Sequence, residues 1–289
     1  MRKILLASTA IVALTSASAM ATDITISGSS ALIMSDDAAN TNGGGSISSE
    51  MDMGVNFSNT MDNGMVAGMT FGFDEDSDNS DVLDTLTWTL AGDFGTLKVS
   101  PDGTNGNYVG AMDDTGNYAG EGADISADIL GSAATSAGTT VGLSMPAISG
   151  VSLAIEAGQD HFGAGATMGV GPASIKVAQI KGPTTDSSSA SVELGFGDIT
   201  IGYEQNKSET SSSEKEGTIM GAKYVLGATT LAYEKMDHKS GNTKDKSSTQ
   251  LQASYTITPG VTAVVSSSDI SGSAVTTKEL TEVQLKVSF

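Results

Sequence analysis

Through almost the whole sequence, apolar side chains recur at every second position, in runs of about 8 to 11 residues. A side-chain period of two belongs to β-strands, whose successive side chains point to opposite faces. The final nine residues, TEVQLKVSF, show it plainly: Val283, Leu285, Val287 and Phe289 alternate with Glu282, Gln284, Lys286 and Ser288. Chains commonly trail off in loose polar residues. Here the pattern runs to a terminal aromatic, so the last strand is expected to be a structural member of the sheet.

The same alternation fills the rest. Segment 47–57 places Ile47, Met51, Met53, Val55 and Phe57 on one parity, and 65–73 does so with Met65, Ala67, Met69, Phe71 and Phe73. Later come Ala190, Val192, Leu194 and Phe196, then Ile199, Ile201 and Tyr203, then Met220, Ala222, Tyr224 and Leu226. With a first strand near 23–34 and a short one at 96–100, sixteen strands are expected. The links alternate in length. Short ones fall at 58–64, 91–95, 146–150, 171–172, 197–198, 227–229 and 258–260, several with Gly-Asp, Gly-Pro or Pro-Gly turn chemistry. Long polar ones fall at 35–46, 74–81, 101–137, 159–163, 181–188, 205–216, 236–248 and 267–280. In an up-and-down meander alternate links share an end, so one end is trimmed and the other is not.

At the other terminus, Arg2 and Lys3 precede an apolar run over 4–14 and the small-residue site Ala19-Met20-Ala21. That is the layout of a cleaved secretory signal over 1–21; about 11 apolar residues are too few for a span that needs about 20. Cleavage removes two of the 14 basic residues, leaving 12 lysines and no arginine against 34 acids, a net charge of −22. Such a surface argues against a nucleic-acid partner, whose phosphates need cations. Cysteine is absent, so an exported chain of this kind must hold together without disulfides.

These features together fit an outer-membrane β-barrel over 22–289, all-β and antiparallel, better than a soluble sandwich. Transmembrane barrels have short turns at one end, longer loops at the other, and strands of this length. A charge on the lipid face near mid-membrane costs about 2–4 kcal/mol. Lys98, Lys176, Lys223, Lys286, Glu156 and Glu204 all fall on the opposite parity from the apolar set. Closure by pairing the first and last strands would remove the sheet edges that lipid does not tolerate.

Several short elements, in order, resemble the Gram-negative general porins. The turn Ala91-Gly92-Asp93-Phe94-Gly95-Thr96-Leu97 is similar to that family's G-x-F-G-T-L element, which leads into a short strand and a long third external loop. Leu143-Ser144-Met145-Pro146-Ala147-Ile148-Ser149-Gly150-Val151-Ser152-Leu153 resembles the strand-turn-strand that follows that loop, and Asp23-Ile24-Thr25-Ile26-Ser27-Gly28 the mature start. Val283, Leu285, Val287 and Phe289 resemble the C-terminal insertion signal read by the barrel-assembly machinery. The resemblance covers effectively the whole chain and is strongest to the sixteen-stranded trimeric porins of alphaproteobacterial type. It implies a homotrimer in contact with outer-membrane lipid and lipopolysaccharide, passing small hydrophilic solutes.

Sixteen tilted strands enclose a lumen of roughly 16–17 Å radius, too wide for side chains to fill. Something must narrow it. The segment 101–137 is long for a structureless link unless it is functional, and the resemblance implies that it folds into the barrel as a constriction. It carries Asp102, Asp113, Asp114, Glu121, Asp124 and Asp128 and no lysine. Within it, 122–131 is expected to form a short helix, with Ile125, Ile129 and Leu130 toward the wall and Asp128 toward the pore. The family's basic wall cluster is reduced here to lysines, of which Lys98 and Lys176 lie well inside inward-facing strand positions. Few cations facing many carboxylates predict a cation preference.

Other features carry less. Phe57, Trp88, Phe196, Tyr224, Tyr255 and Phe289 near short turns, and Phe71, Phe73, Tyr203 and Tyr233 near long links, are expected to form two interfacial girdles. Asp74, Asp76 and Asp78 open like a calcium loop, but the glycine and glutamate of an EF-hand are missing, so only weak Ca²⁺ binding is expected and no cofactor. His161 and His238 read as solvated loop residues. No nucleophile–base arrangement stands out, so an enzyme is not expected. The competing reading is a non-transporting surface protein or adhesin on a closed barrel.

Overall fold

The computed structural model describes residues 22–37, 45–74, 83–101, 109, 139–241, 243–272 and 275–289. The strands of its first half are β1 (Thr22–Asp37), β2 (Ser46–Thr60), β3 (Val66–Asp74), β4 (Leu83–Gly92), β5 (Gly95–Ser100), β6 (Thr140–Ser144), β7 (Val151–Ala157) and β8 (Phe162–Val170). Those of the second are β9 (Ala173–Lys181), β10 (Thr185–Phe196), β11 (Ile199–Thr210), β12 (Glu214–Leu226), β13 (Thr229–Ser240), β14 (Thr243–Thr258), β15 (Val261–Gly272) and β16 (Val275–Ser288). Each strand pairs antiparallel with its chain neighbours, and β1 with β16, so the sixteen-stranded sheet closes into a barrel. No helix among the described residues is long and apolar enough to cross a membrane.

Alternation sorts the side chains by face. On β14 the outward Leu251, Tyr255 and Ile257 are exposed while the inward Gln250 is buried. On β16 the outward Val283, Leu285 and Val287 are exposed and Gln284 is buried. The exposed apolar residues recur strand after strand around the cylinder, from Ile26 and Met53 through Leu153 and Met168 to Ile201, Leu231 and Val265. A soluble monomer rarely exposes a contiguous apolar patch of more than about a few hundred Å². A continuous apolar band of this kind is the surface of a protein solvated by lipid. Tyr203 and Tyr233 lie at its upper border, immediately before the outward Gln205 and Lys235, and Phe196, Tyr255 and Phe289 lie toward the short turns.

The far end differs from expectation. Of the long links read at 181–188, 205–216, 236–248 and 267–280, only 182–184, 211–213, 241–242 and 273–274 lie between strands. The remainder continues β10 to β16 as paired strand. Above the apolar band the outward positions turn polar, to Gln205, Lys207, Thr218, Lys235, Thr249 and Ser267, the pattern of a wall with water on both faces. Exposed ion pairs join its strands: Lys207 to Glu214 at 3.2 Å and Lys239 to Glu216 at 3.7 Å. Hydrogen bonds from the ammonium to Glu209 and Glu214 push the Lys207 pKa above its ordinary range. Such pairs contribute little in water; the backbone ladder is what carries the wall upward.

The short turns hold as read. Gly197 and Gly227 both take φ 60°, the left-handed geometry that a two-residue turn needs. At Gly95 (φ 114°) a Cβ would press on the Ser144 carbonyl and lie 3.0 Å from Met145 Cα. Gly95→Ala is therefore expected to lower stability by more than about 1 kcal/mol, the cost of alanine at positive φ alone. Urea unfolding of the refolded protein measures it, and an unchanged midpoint would contradict the assignment.

The closing ladder between β1 and β16 runs from Asp37–Leu280 to Ser29–Ser288 and ends at the C-terminus. Phe289 N–H donates to the Gly28 carbonyl and Gly28 N–H to the Phe289 carbonyl, both at 3.0 Å. The Phe289 ring lies over Gly28, where a Cβ would come within 2.7 Å of Cζ. The terminal aromatic is thus seated on a glycine of the first strand.

Candidate functional site

The inner wall is built from the opposite parity. Because neighbouring strands pair in register, inward side chains stand in rows running across the strands. One row reads Lys98, Gly142, Glu156, Gly163, Ile180. The next reads Ser144, Ala154, Gly165, Ala178, Ser189, Asn206. A third holds Lys176, Ser191, Glu204, Ile219 and Met236, and a fourth Glu193, Gly202, Gly221, Glu234, Gln250 and Ser268.

This wall is predominantly polar. Glu156, Glu204, Asn206, Glu234, Gln250, Ser266, Ser268 and Gln284 are all buried and all face inward. Two small apolar clusters interrupt it: Ile219, Met236 and Ile270 on β12, β13 and β15, and Val109 with Ala178 and Ile180. A polar interior around a wide lumen is what a water-filled channel requires; a soluble core would be apolar throughout.

Lys98 sits on β5 and Lys176 on β9, both inward and half-buried. They are not gathered into one basic patch. Each shares its row with a carboxylate, Lys98 with Glu156 across Gly142 and Lys176 with Glu204 across Ser191. Lys223 and Lys286 also face inward, nearer the short turns. Val283, Leu285, Val287 and Phe289 line the outside of β16. Asp102, Asp113, Asp114, Glu121, Asp124 and Asp128, with the expected helix over 122–131, lie outside the described residues, as do Asp76 and Asp78; Asp74 ends β3. Among the described residues no group of three or more His, Asp or Glu could hold a metal ion.

Within the segment joining β5 to β6, apart from the flanking Pro101 and Thr139, Val109 is described, and it is inside. Val109 packs against Ala178 and Ile180, with Ala154 beside them, all on the inner face of β7 and β9. Its N–H donates to Glu156 Oε2 at 3.3 Å. Sequence reading missed this contact, because the partners are 47 residues apart. The only local sign was a carboxylate at an inward position opposite a glycine-rich strand.

The histidines also depart from expectation. Neither is solvated: His161 is buried beside Glu156, with Nε2 3.6 Å from Oε1, and His238 is buried on the inner face of β13, with Nδ1 3.5 Å from Asp245 Oδ2. Both stretches read as loop because their polar residues concealed a strand end and a turn folded back on the wall.

Solved structures share this architecture. OmpT of Vibrio cholerae, an outer membrane protein in a trimer form, superposes with a TM-score of 0.72 at 12% identity, over 93% of this chain and 100% of that one. A mutant of the Rh. blastica porin gives 0.66 at 18% identity over 92% and 100%. An anion-selective porin from Comamonas acidovorans gives 0.71 at 12% over 93% and 100%. Among curated proteins no sequence matches. The family model described as Gram-negative porin matches residues 7–274. A barrel that needs lipid outside and can hold water inside thus coincides with a family match along nearly the whole sequence, and the chain belongs to the Gram-negative porins.

Proposed function

We propose that this porin is a passive outer-membrane channel for small hydrophilic solutes and ions, with a preference for cations, and that it is not an enzyme. The observation that carries this reading is the inner wall itself, where Glu204, Asn206, Glu234, Gln250, Ser266 and Gln284 face inward from β11, β13, β14, β15 and β16. The net charge of −22 without the signal supports the cation preference. Barrel geometry does not set the sign of selectivity, since the Comamonas structure of the same fold is described as anion-selective. Side chains at the narrowest point set it.

The segment 101–137, with its acidic residues Asp102, Asp113, Asp114, Glu121, Asp124 and Asp128, is the proposed constriction, and the inward placement of Val109 supports it. Lys98 and Lys176, inward on the wall, are its proposed basic counterpart. Export by a cleaved signal over 1–21, insertion through the barrel-assembly machinery, contact with lipopolysaccharide, and a homotrimer like the trimer form of V. cholerae OmpT complete the proposal. Weak Ca²⁺ binding at Asp74, Asp76 and Asp78 remains part of it; a chelator that leaves thermal stability unchanged would remove it.

Planar-bilayer recording tests the function. Stepwise single-channel conductance is expected, with a reversal potential displaced toward the K⁺ equilibrium value across a KCl gradient. An opposite displacement refutes the cation preference. Absence of steps refutes the channel and favours the closed-barrel surface protein.

A further inference from the structure

We propose that Glu156 is the wall-side anchor of the β5–β6 connection, fixing it inside the lumen at Val109, with His161 holding the carboxylate in place. This deepens the channel reading and rests on it: Glu156 is a positioning residue for the constriction.

A pore-lining carboxylate that tunes permeation would be wet. Glu156 is 1% exposed. Burying a carboxylate is costly unless hydrogen bonds and neighbouring charge offset it, so its burial on the wall of a water-filled lumen needs a structural reason. The Val109 contact supplies one. Oε2 accepts the Val109 N–H, while Oε1 faces His161 and Lys98 stands in the same row. At 3.3 Å this is a long hydrogen bond, to which the charge of the carboxylate adds.

The receptacle is shaped by three glycines, each for a separate reason. At Gly165 a Cβ would lie 2.5 Å from the Val109 carbonyl oxygen and 3.2 Å from the Val109 Cβ, so any side chain would lift Val109 off the wall. At Gly163 a Cβ would lie 2.7 Å from Glu156 Cγ, so the glutamate lies flat across this position. At Gly158 a Cβ would strike the His161 ring. The turn is closed there by the Gly158 N–H donating to the His161 carbonyl at 3.0 Å, which brings the imidazole to Glu156. Val109 itself is 4% exposed, seated on Ala178 and Ile180. A polar clasp and an apolar seat act on the same residue, from three adjacent strands.

The chain has no cysteine, so an introduced pair reports cleanly. Val109→Cys with Ala178→Cys in the full-length, refolded and inserted protein is expected to cross-link readily on oxidation. Adding Glu156→Ala or Gly165→Val should slow cross-linking about tenfold, the effect of losing one charged hydrogen bond or its seat. Glu156→Gln, which keeps an acceptor oxygen, should recover most of the rate. In the cysteine-free chain, Glu156→Ala and Gly165→Val should raise single-channel conductance and its noise, and Glu156→Gln should stay near the parent. Gly165→Val leaves the carboxylate intact, so it decides the matter if Glu156→Ala does not fold. The anchor is refuted if the pair fails to cross-link in the parent, or if cross-linking and conductance are unchanged in folded variants. Efficient cross-linking in a barrel that never conducts would instead refute the channel.

Discussion

Ala253→Arg is expected to remove about 2–4 kcal/mol of folding stability in a bilayer, the cost of a cation on the lipid face at mid-depth. Arginine one residue later, at Ser254, is expected to cost less than about 0.5 kcal/mol, the usual range for a tolerated surface change. Ala253 lies outward between Leu251 and Tyr255 and pairs with Leu231 and Val265, all apolar. Ser254 points into the lumen, paired with Thr230 and Val264. The same arginine is thus placed on opposite faces at adjacent positions. Ser254→Arg should also move the reversal potential toward the anion value, because it places a fixed cation beside the permeation path. Unfolding by urea in lipid vesicles, extrapolated to zero denaturant, gives both stabilities. Equal losses at the two positions would mean that the outer band does not meet hydrocarbon.

Removal of Phe289 is the second large effect. It takes away both reciprocal backbone hydrogen bonds to Gly28 and leaves their partners at the seam, each orphaned group costing about 1–3 kcal/mol where water is excluded. The aromatic face resting on Gly28 goes with them. Gly28→Val should act on the same seam from the other side, since its Cβ would meet the Phe289 ring at 2.7 Å and the Asp52 carbonyl at 2.8 Å. Both variants should refold more slowly and lose the compact, heat-modifiable electrophoretic form at lower temperature. If the truncated chain folds in pure lipid as well as the parent, Phe289 serves only recognition during insertion. If it fails in pure lipid, the seam is structural regardless of any assembly factor.

The positions where sequence reading succeeded and failed follow one physical rule. Where one face meets lipid, alternation between Ile199, Ile201, Tyr203 and their polar neighbours is unmistakable, because a charge in hydrocarbon is costly. Above Tyr203 the contrast vanishes. Gln205, Lys207 and Glu209 alternate with Asn206 and Ser208, both faces are polar, and the continuation of β11 to Thr210 looks like loop. Strand pairing there depends on the backbone, which every sequence shares. The same blindness hid His238, which reads as one polar residue among others until β13 is seen to extend through it.

Strand number, facing and the short turns were therefore written into the chain locally, by period and by turn residues, because lipid enforces a two-sided pattern residue by residue. The register that seats Phe289 on Gly28, the rows that set Lys98 against Glu156, and the meeting of Val109 with β7 to β9 arise only when sixteen strands close in three dimensions. Each joins residues far apart in sequence, and contacts across such distances leave no periodic trace. Their chemistry is visible in the residue types, but their partners are chosen by the curvature and register of the closed sheet.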